Sequence, residues 1–268
     1  MPLFPSRRKG LGYREDPVDK RDHGLEKLGL GDSHLSLRYS MRADVPTILD
    51  QKATSSCVAH TFVAAVHLLE ARAGHSYNPV SRLFAYYNAR RMYRPRGLLT
   101  DSGTYLRTCA KGMQRLGIPD EIHWPFSAFT LKINRRPSFA AQMRAHPRMG
   151  GLYVRILESG DERIKALKAA VSAGYPVGFG ISVSDDIFDV GSDTIQKPAL
   201  SDPIVGGHAM LIIGYDDNDG ECTFEIQNSW GTSWGDDGFG WISEEYIRWR
   251  QARDFQIIYG WRRAEIVA

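Results

Sequence analysis

A polar turn delivers a single cysteine to the start of an apolar helical run in the stretch QKATSSCVAHTFVAAVHLLE, from Gln51 to Glu70. Val58, Ala59, Phe62, Val63, Ala65, Val66 and Leu69 supply enough apolar surface to bury such a helix, and Ser55 or Ser56 can cap it. The helix would then present its amino end to Cys57. Unpaired backbone N–H groups and the positive end of the helix dipole favour a thiolate over a thiol there. Cys57 is therefore a candidate nucleophile. A cysteine opening an apolar helix can equally be a small buried hydrophobe, and this stretch alone does not choose between the two.

Two distant segments bear on the choice. Ala209 to Tyr215 is an apolar run, Asp216 to Gly220 is turn-forming, and Cys222 to Ile226 alternates with polar residues. The two runs are expected to pair as an antiparallel hairpin. With Asn218 as midpoint, His208 faces Asn228 across the strands, and opposed residues project from the same face. A cysteine, a histidine and an amide that holds the imidazole make a nucleophilic triad.

Taken together, these segments resemble the papain-like cysteine proteases. Gln51 lies six residues before Cys57, the spacing of that family's oxyanion-hole glutamine. His208 sits in a G-H-A context, followed by an apolar strand and Gly214-Tyr215. Asn228-Ser229-Trp230-Gly231, with Trp234-Gly235 and Gly238-Phe239 in register, matches the family's N-S-W-G-x-x-W-G-x-x-G-[YF] run at every fixed position. Trp124-Pro125-Phe126 is a weaker match to an aromatic-Pro-aromatic triplet, and the likeness extends from about 45 to 245. The nucleophile turn departs from it. The family usually has C-G-S-C-W, whereas this chain has Thr54-Ser55-Ser56-Cys57-Val58, so a disulfide cysteine and a tryptophan are replaced but no catalytic atom is. His208 follows Cys57 by 151 residues and Asn228 follows it by 171, an interval that an inserted loop before His208 explains.

The resemblance implies an α+β fold of two lobes, one helical and one an antiparallel β-barrel-like lobe, with the active site in the cleft between them. It implies a cysteine peptidase that hydrolyses peptide bonds through a Cys57 thioester acyl-enzyme. His208 serves as base, and Asn228 orients the imidazole. Gln51 and the Cys57 N–H hold the oxyanion, and Trp230 shields the Asn–His bond and borders the substrate. Gly103, in the turn Asp101-Ser102-Gly103, falls where the family binds extended substrate through its backbone, although the turn reads equally as a helix cap. Partners are a protein or peptide substrate and, unidentified, a separate inhibitor or delivery protein; no cofactor and no metal are implied. The same triad serves a deamidase, isopeptidase or acyltransferase, and the fold serves a silent binding module.

At 268 residues and 43% hydrophobic content the chain is expected to be a soluble globular protein. Its net charge of +3 is too small to argue for nucleic acid, and Arg90, Arg91, Arg94 and Arg96 read as solvated surface. No apolar run is long enough for a membrane span, and MPLFPSRRKG lacks the apolar core of a signal peptide. A cytoplasmic location is expected, with export by a non-Sec route left open. The widely spaced Cys57, Cys109 and Cys222 imply no disulfide framework and suit a reducing compartment.

Residues 1–40 read as an extended arm along the surface, 41–150 as the helical lobe and 151–268 as the β-rich lobe. Further helices are expected from Asn78-Pro79 through Arg91, from Thr104 to Leu116 with Cys109 in the core, and from Asp161 to Ala173. Ser184 to Val205 reads as an inserted flap near the cleft. His60, three residues beyond Cys57, shares its helical face and reads as a core histidine before it reads as a second base or, with Cys57 and His208, a zinc ligand. The arm is too short and too polar for a helical inhibitory propeptide, so the chain is expected to be active as synthesised.

Overall fold

The computed structural model describes residues 9–30, 35–145, 151–191, 194–217 and 220–260. Strands β1 (Tyr13–Arg14) and β2 (Arg38–Ser40) come first, then helices α1 (Cys57–Arg72) and α2 (Arg82–Tyr93). Strand β3 (Thr104–Tyr105) leads into α3 (Leu106–Leu116), and α4 (Thr130–Ile133) and α5 (Phe139–Ala145) follow. The second half runs β4 (Leu152–Arg155), α6 (Gly160–Ser172), β5 (Val177–Val183), β6 (Thr194–Ile195) and β7 (Gly206–Asp216). It ends with β8 (Thr223–Gln227), β9 (Phe239–Ser243), α7 (Glu244–Arg248) and β10 (Ala252–Tyr259).

Strands β1 and β3 pair with each other, and the other eight form one sheet in the order β4-β10-β5-β7-β8-β9-β6, with β2 paired to the far end of β7. All its pairs are antiparallel except β6 with β9. Helix α1 lies between this sheet and α2 and α3. Its residues from Cys57 to Leu68 are buried all round, as expected of a helix packed on every side. The contact with β5 is close because Gly178 has no side chain: a Cβ there would lie 3.1 Å from the Phe62 ring.

Several sequence expectations shift. The hairpin register runs Leu211 to Gln227 and Ile212 to Ile226, which continues to Met210, not His208, opposite Asn228. Asn218, the supposed midpoint, lies outside the described residues, and the strand slips between Ile212 and Gly214. Helix α2 begins at Arg82, because Ser81 Oγ caps it by accepting the Phe84 N–H at 3.1 Å, while Pro79 offers its carbonyl to Glu121. Thr104 and Tyr105 are strand rather than helix. Arg90 is not solvated. It is wholly buried, donates to the carbonyls of Thr100 and Ile133 and to Asn134 Oδ1 at 2.6 Å each, and lies over the Tyr86 ring. The boundary expected at 150/151 abuts residues 146–150, outside the described ones.

The largest departure concerns residues 1–40. Of these, Arg38 to Ser40 join the sheet, and Gly10 to Tyr13, buried or half-buried, bond to Lys52, Gly207 and Thr104 instead of running free over the surface.

Candidate active site

Cys57 opens α1 and is fully buried. Ser56 is the N-cap residue, but its hydroxyl does not cap the helix; it bonds Thr54 Oγ1 at 2.6 Å and His60 Nδ1 at 3.1 Å. The backbone N–H groups of Ala209, Gly12, Val58 and Cys57 itself favour the thiolate. Burial outweighs them and pushes the thiol up to about 11. The expectation of a depressed thiol pKa fails here because the cleft excludes water.

Strand β7 carries His208 beside Ala209, whose N–H is one of those favouring the thiolate, so the nucleophile and the imidazole belong to one site. His208 Nε2 meets Asn228 Oδ1 at 2.8 Å, although the two are offset in register. The Ser229 N–H reaches the same oxygen at 2.7 Å, which fixes the amide orientation. Nε2 therefore donates, and Nδ1 is left with the lone pair, buried and without a hydrogen-bond partner. Burial also drives His208 down to about 4, against the opposing bond from Asn228. Trp230 is fully buried and stacks on the imidazole at 4.3 Å, with Phe188 stacked at 5.1 Å on the Trp230 ring. It meets the histidine rather than an open substrate groove. Phe188 lies in the insertion Ser184–Val205, which is anchored by the Trp234 indole N–H on the Ile187 carbonyl and by β6 on the sheet edge, so this stretch is partly structural rather than a free flap.

Gln51 is fully buried, and every polar group of its side chain is engaged. Its Oε1 accepts from Ser229 Oγ at 2.7 Å, and its Nε2 donates to the Thr54 carbonyl at 2.7 Å and the Gly10 carbonyl at 2.9 Å. The Gly10 carbonyl thus takes the amide donor expected to serve an oxyanion. Next along the arm, the Gly12 N–H donates to the Gly207 carbonyl at 3.0 Å, and its own carbonyl accepts from Thr104 at 2.9 Å. Strand β1 then pairs parallel with β3, Tyr13 with Thr104 and Arg14 with Tyr105. Gly103 is not the residue that donates to the extended chain, since its N–H goes to the Tyr86 hydroxyl at 3.0 Å. It supplies space instead: it has φ +74°, and a Cβ on it would lie 2.0 Å from the Gly12 carbonyl oxygen.

A buried ionic cluster clamps the arm. Arg155 on β4 reaches Asp16 and Asp22 of the arm at 3.1 Å each and Asp254 of β10 at 2.5 Å. Arg107 on α3 binds Asp22 at 2.5 Å and gives its backbone N–H to Asp16. Burial and the Asp254 charge push the Asp16 carboxyl up. No single-residue motif marks this cluster in the sequence. Its signal was the acidic run Asp16, Asp19 and Asp22 in a segment otherwise read as solvated, facing two arginines distant in the chain.

His60 is turned to its own helix start, with Nδ1 3.0 Å from the Ser56 carbonyl and its ring edge-on to Phe126 of the aromatic-Pro-aromatic triplet. Burial pushes it down to about 3, which suits a neutral core histidine. Among the described residues no group of three His, Cys, Asp or Glu is arranged to hold a metal, and Cys57, Cys109 and Cys222 are free thiols.

Residues 102–253 match the family model described as papain family cysteine protease. That span contains His208 and Asn228 but not Gln51 or Cys57. An uncharacterized peptidase C1-like protein of Acanthamoeba polyphaga mimivirus is 32% identical over 222 residues, covering 78% of this chain and 68% of that protein. Cathepsin L1 of Drosophila melanogaster is 34% identical over 84 residues, 31% of this chain and 22% of the cathepsin, so the likeness spans less than a quarter of that relative. Among solved structures, xylellain, a cysteine protease from Xylella fastidiosa, is similar with a TM-score of 0.80 at 29% identity, over 98% of this chain and all of that one.

Proposed function

Because the chain belongs to the papain family of cysteine proteases, we propose that it is a peptidase held latent by its own amino-terminal arm. As a family member it is a cysteine-type hydrolase whose substrates are proteins or peptides. The observation that carries the latency is the Gly10 carbonyl on Gln51 Nε2, with Gly12 held between Gly207 and Thr104. A chain bound in this way excludes both water and substrate from Cys57. The expectation of a chain active as synthesised is replaced by this reading. Docking needs no propeptide helices, because the Asp16 and Asp22 clamp holds the arm.

Once the arm leaves, water returns to the site and the cost of charging the thiol and the imidazole falls. His208 Nδ1 takes the thiol proton, and the Cys57 thiolate attacks the substrate carbonyl. The oxyanion is held by Gln51 Nε2 and the Cys57 N–H, donors already fixed in place. The imidazolium gives its proton to the leaving amine, and water then hydrolyses the thioester. Asn228 acts by holding the tautomer, and Trp230 by covering the ring that carries it. Asn228→Ala should therefore lower kcat by roughly a hundredfold through imidazole misplacement, with KM little changed. Steady-state kinetics in the arm-displaced protein checks this, and an unchanged kcat would remove Asn228 from the mechanism.

The reading is tested by offering the full-length chain, with its arm displaced, a mixed-peptide library analysed by mass spectrometry. Shortened peptides are expected. Peptides intact in length but deamidated or transferred to an amine would replace the peptidase reading with one of side-chain amide chemistry on the same triad.

A further inference from the structure

Tyr13 shows what the pocket beside the nucleophile accepts. Its ring lies against the bare backbone of two glycines: a Cβ on Gly180 of β5 would fall 2.0 Å from the ring, and one on Gly207 of β7 would fall 3.0 Å from Cδ1. At the end of the slot the phenol donates to Asp254 Oδ2 at 2.6 Å. Asp254 reaches that position because β10 slips in register between Arg253 and Gln256 and Asp254 takes φ +57°, a conformation that aspartate tolerates better than most residues. The other carboxylate oxygen is held by Arg155 Nη2 at 2.5 Å, so the charge is compensated and the group remains an acceptor.

We propose that this slot is a specificity pocket that selects a tyrosine side chain in the substrate, with the Asp254 carboxylate reading the phenol. The proposal rests on the peptidase reading above and names a substrate class for it. Three side-chain classes compete for the slot. Phenylalanine fills the ring space but leaves Asp254 Oδ2 without its side-chain donor; the other donor to that oxygen, the Asp16 N–H at 2.7 Å, belongs to the arm and leaves with it. Arginine or lysine brings a second cation against Arg155, which already occupies the carboxylate. Small aliphatic side chains leave the space between Gly180 and Gly207 unfilled. Tyrosine alone satisfies shape, acceptor and charge together.

The test uses the full-length chain carrying Gly12→Ala and Tyr13→Ala, which empties the slot. Fluorogenic peptides with glycine as the acyl residue and Tyr, Phe, Arg or Leu immediately before it are compared by kcat/KM. In parallel, peptidyl vinyl sulfones with the same side chains are compared by their rate of adduct formation at Cys57, read by mass. Tyrosine is expected to exceed phenylalanine by about ten- to a hundredfold in both readouts, with arginine below phenylalanine. Asp254→Asn, close in shape but neutral, should bring the ratio of the tyrosine rate to the phenylalanine rate toward one in both readouts. Hydrolysis with Phe equal to Tyr, or with Arg preferred, overturns the proposal and leaves the peptidase reading standing. Tyrosine-selective labelling without hydrolysis overturns the peptidase reading and leaves the pocket standing. Labelling that ignores the side chain overturns the pocket whatever the hydrolysis shows.

Discussion

Cys57→Ala, placed in a full-length chain whose arm is displaced by Gly12→Ala, should lower peptide hydrolysis by roughly ten-thousand-fold or more, because nucleophile and base act as a unit. No other thiol can substitute. Cys109 and Cys222 are both buried, and burial pushes each thiol up, Cys222 to about 12. His60 is a poorer base than His208, since its Nδ1 is turned to Ser56 and burial lowers its proton affinity further. The fold should survive, because the change removes one small sulfur from the fully buried start of α1 and adds no polar group. Initial rates on the peptide mixture, with a thermal melt beside them, check both halves. Hydrolysis within tenfold of the parent would mean that the thioester route is not the one in use.

Arg155→Met should both destabilise the protein and loosen the arm. Arg155 joins Asp16, Asp22 and Asp254, all nearly inaccessible to solvent, and its removal leaves Arg107 beside Asp16 and Asp22 and takes the ion-pair partner from Asp254. Breaking a buried ion pair from one side typically costs about 3–5 kcal/mol. In a domain of this size that corresponds to a fall in Tm of about 10 °C. The pH dependence has a definite sign. The Asp16 pKa is higher with the arm docked than the free value of 3.8, so its contribution to docking is full below that value and is lost as pH rises through the raised one. His208 acts in the opposite sense. Its pKa is lowered to about 4 in the closed site, so its contribution is present above the ordinary 6.5 and is lost as pH falls through about 4. Acid therefore sets the two against each other and should not release the arm by itself. In Arg155→Met the Asp16 carboxyl loses a cation, so the arm should come free at lower pH than in the parent during an alkaline titration. Limited proteolysis of residues 9–30 against pH measures this, and equal cleavage profiles would show that the clamp is not what holds the arm.

The residues that meet at the candidate site were legible in the sequence because they sit in local patterns. Cys57 stands at a polar-to-apolar transition, and Asn228 and Trp230 lie in a run of fixed spacing. The hairpin between His208 and Asn228 could be inferred, but its register could not. The pair nearest the turn, Asp216 with Thr223, is already offset from a hairpin centred on Asn218, and a one-residue slip beside Ile213 shifts the pairing again; neither leaves a periodic trace. The arm was misread for a different reason. Its composition is polar and glycine-rich, which normally marks solvated chain, whereas Gly10 and Gly12 are needed because any side chain there would collide with the backbone of Thr54 and Ser55. Burial of Asp16 and Asp22 depends on Arg107 and Arg155, partners that no local pattern connects to them. Arg90 was misassigned similarly: its basic neighbours suggested solvent, but carbonyls of Thr100 and Ile133 converge on it from other segments.

If residues 10–14 close a papain-type site, the reactivity of Cys57 reports it. Gly12→Ala is the appropriate perturbation, because a Cβ at Gly12 would lie 2.0 Å from the Ser55 carbonyl oxygen, at the rigid entry to α1, and the arm must lift. With the arm docked the thiol lies near 11, so little thiolate exists at neutral pH. With the arm lifted it returns toward or below the ordinary value of about 8.5. Alkylation of the full-length chain by iodoacetamide at neutral pH, with the modified residue located by peptide mass, should be slow at Cys57 in the parent and roughly a hundredfold faster in Gly12→Ala. Equal, rapid modification of Cys57 in both proteins would show that the arm is no barrier to the nucleophile.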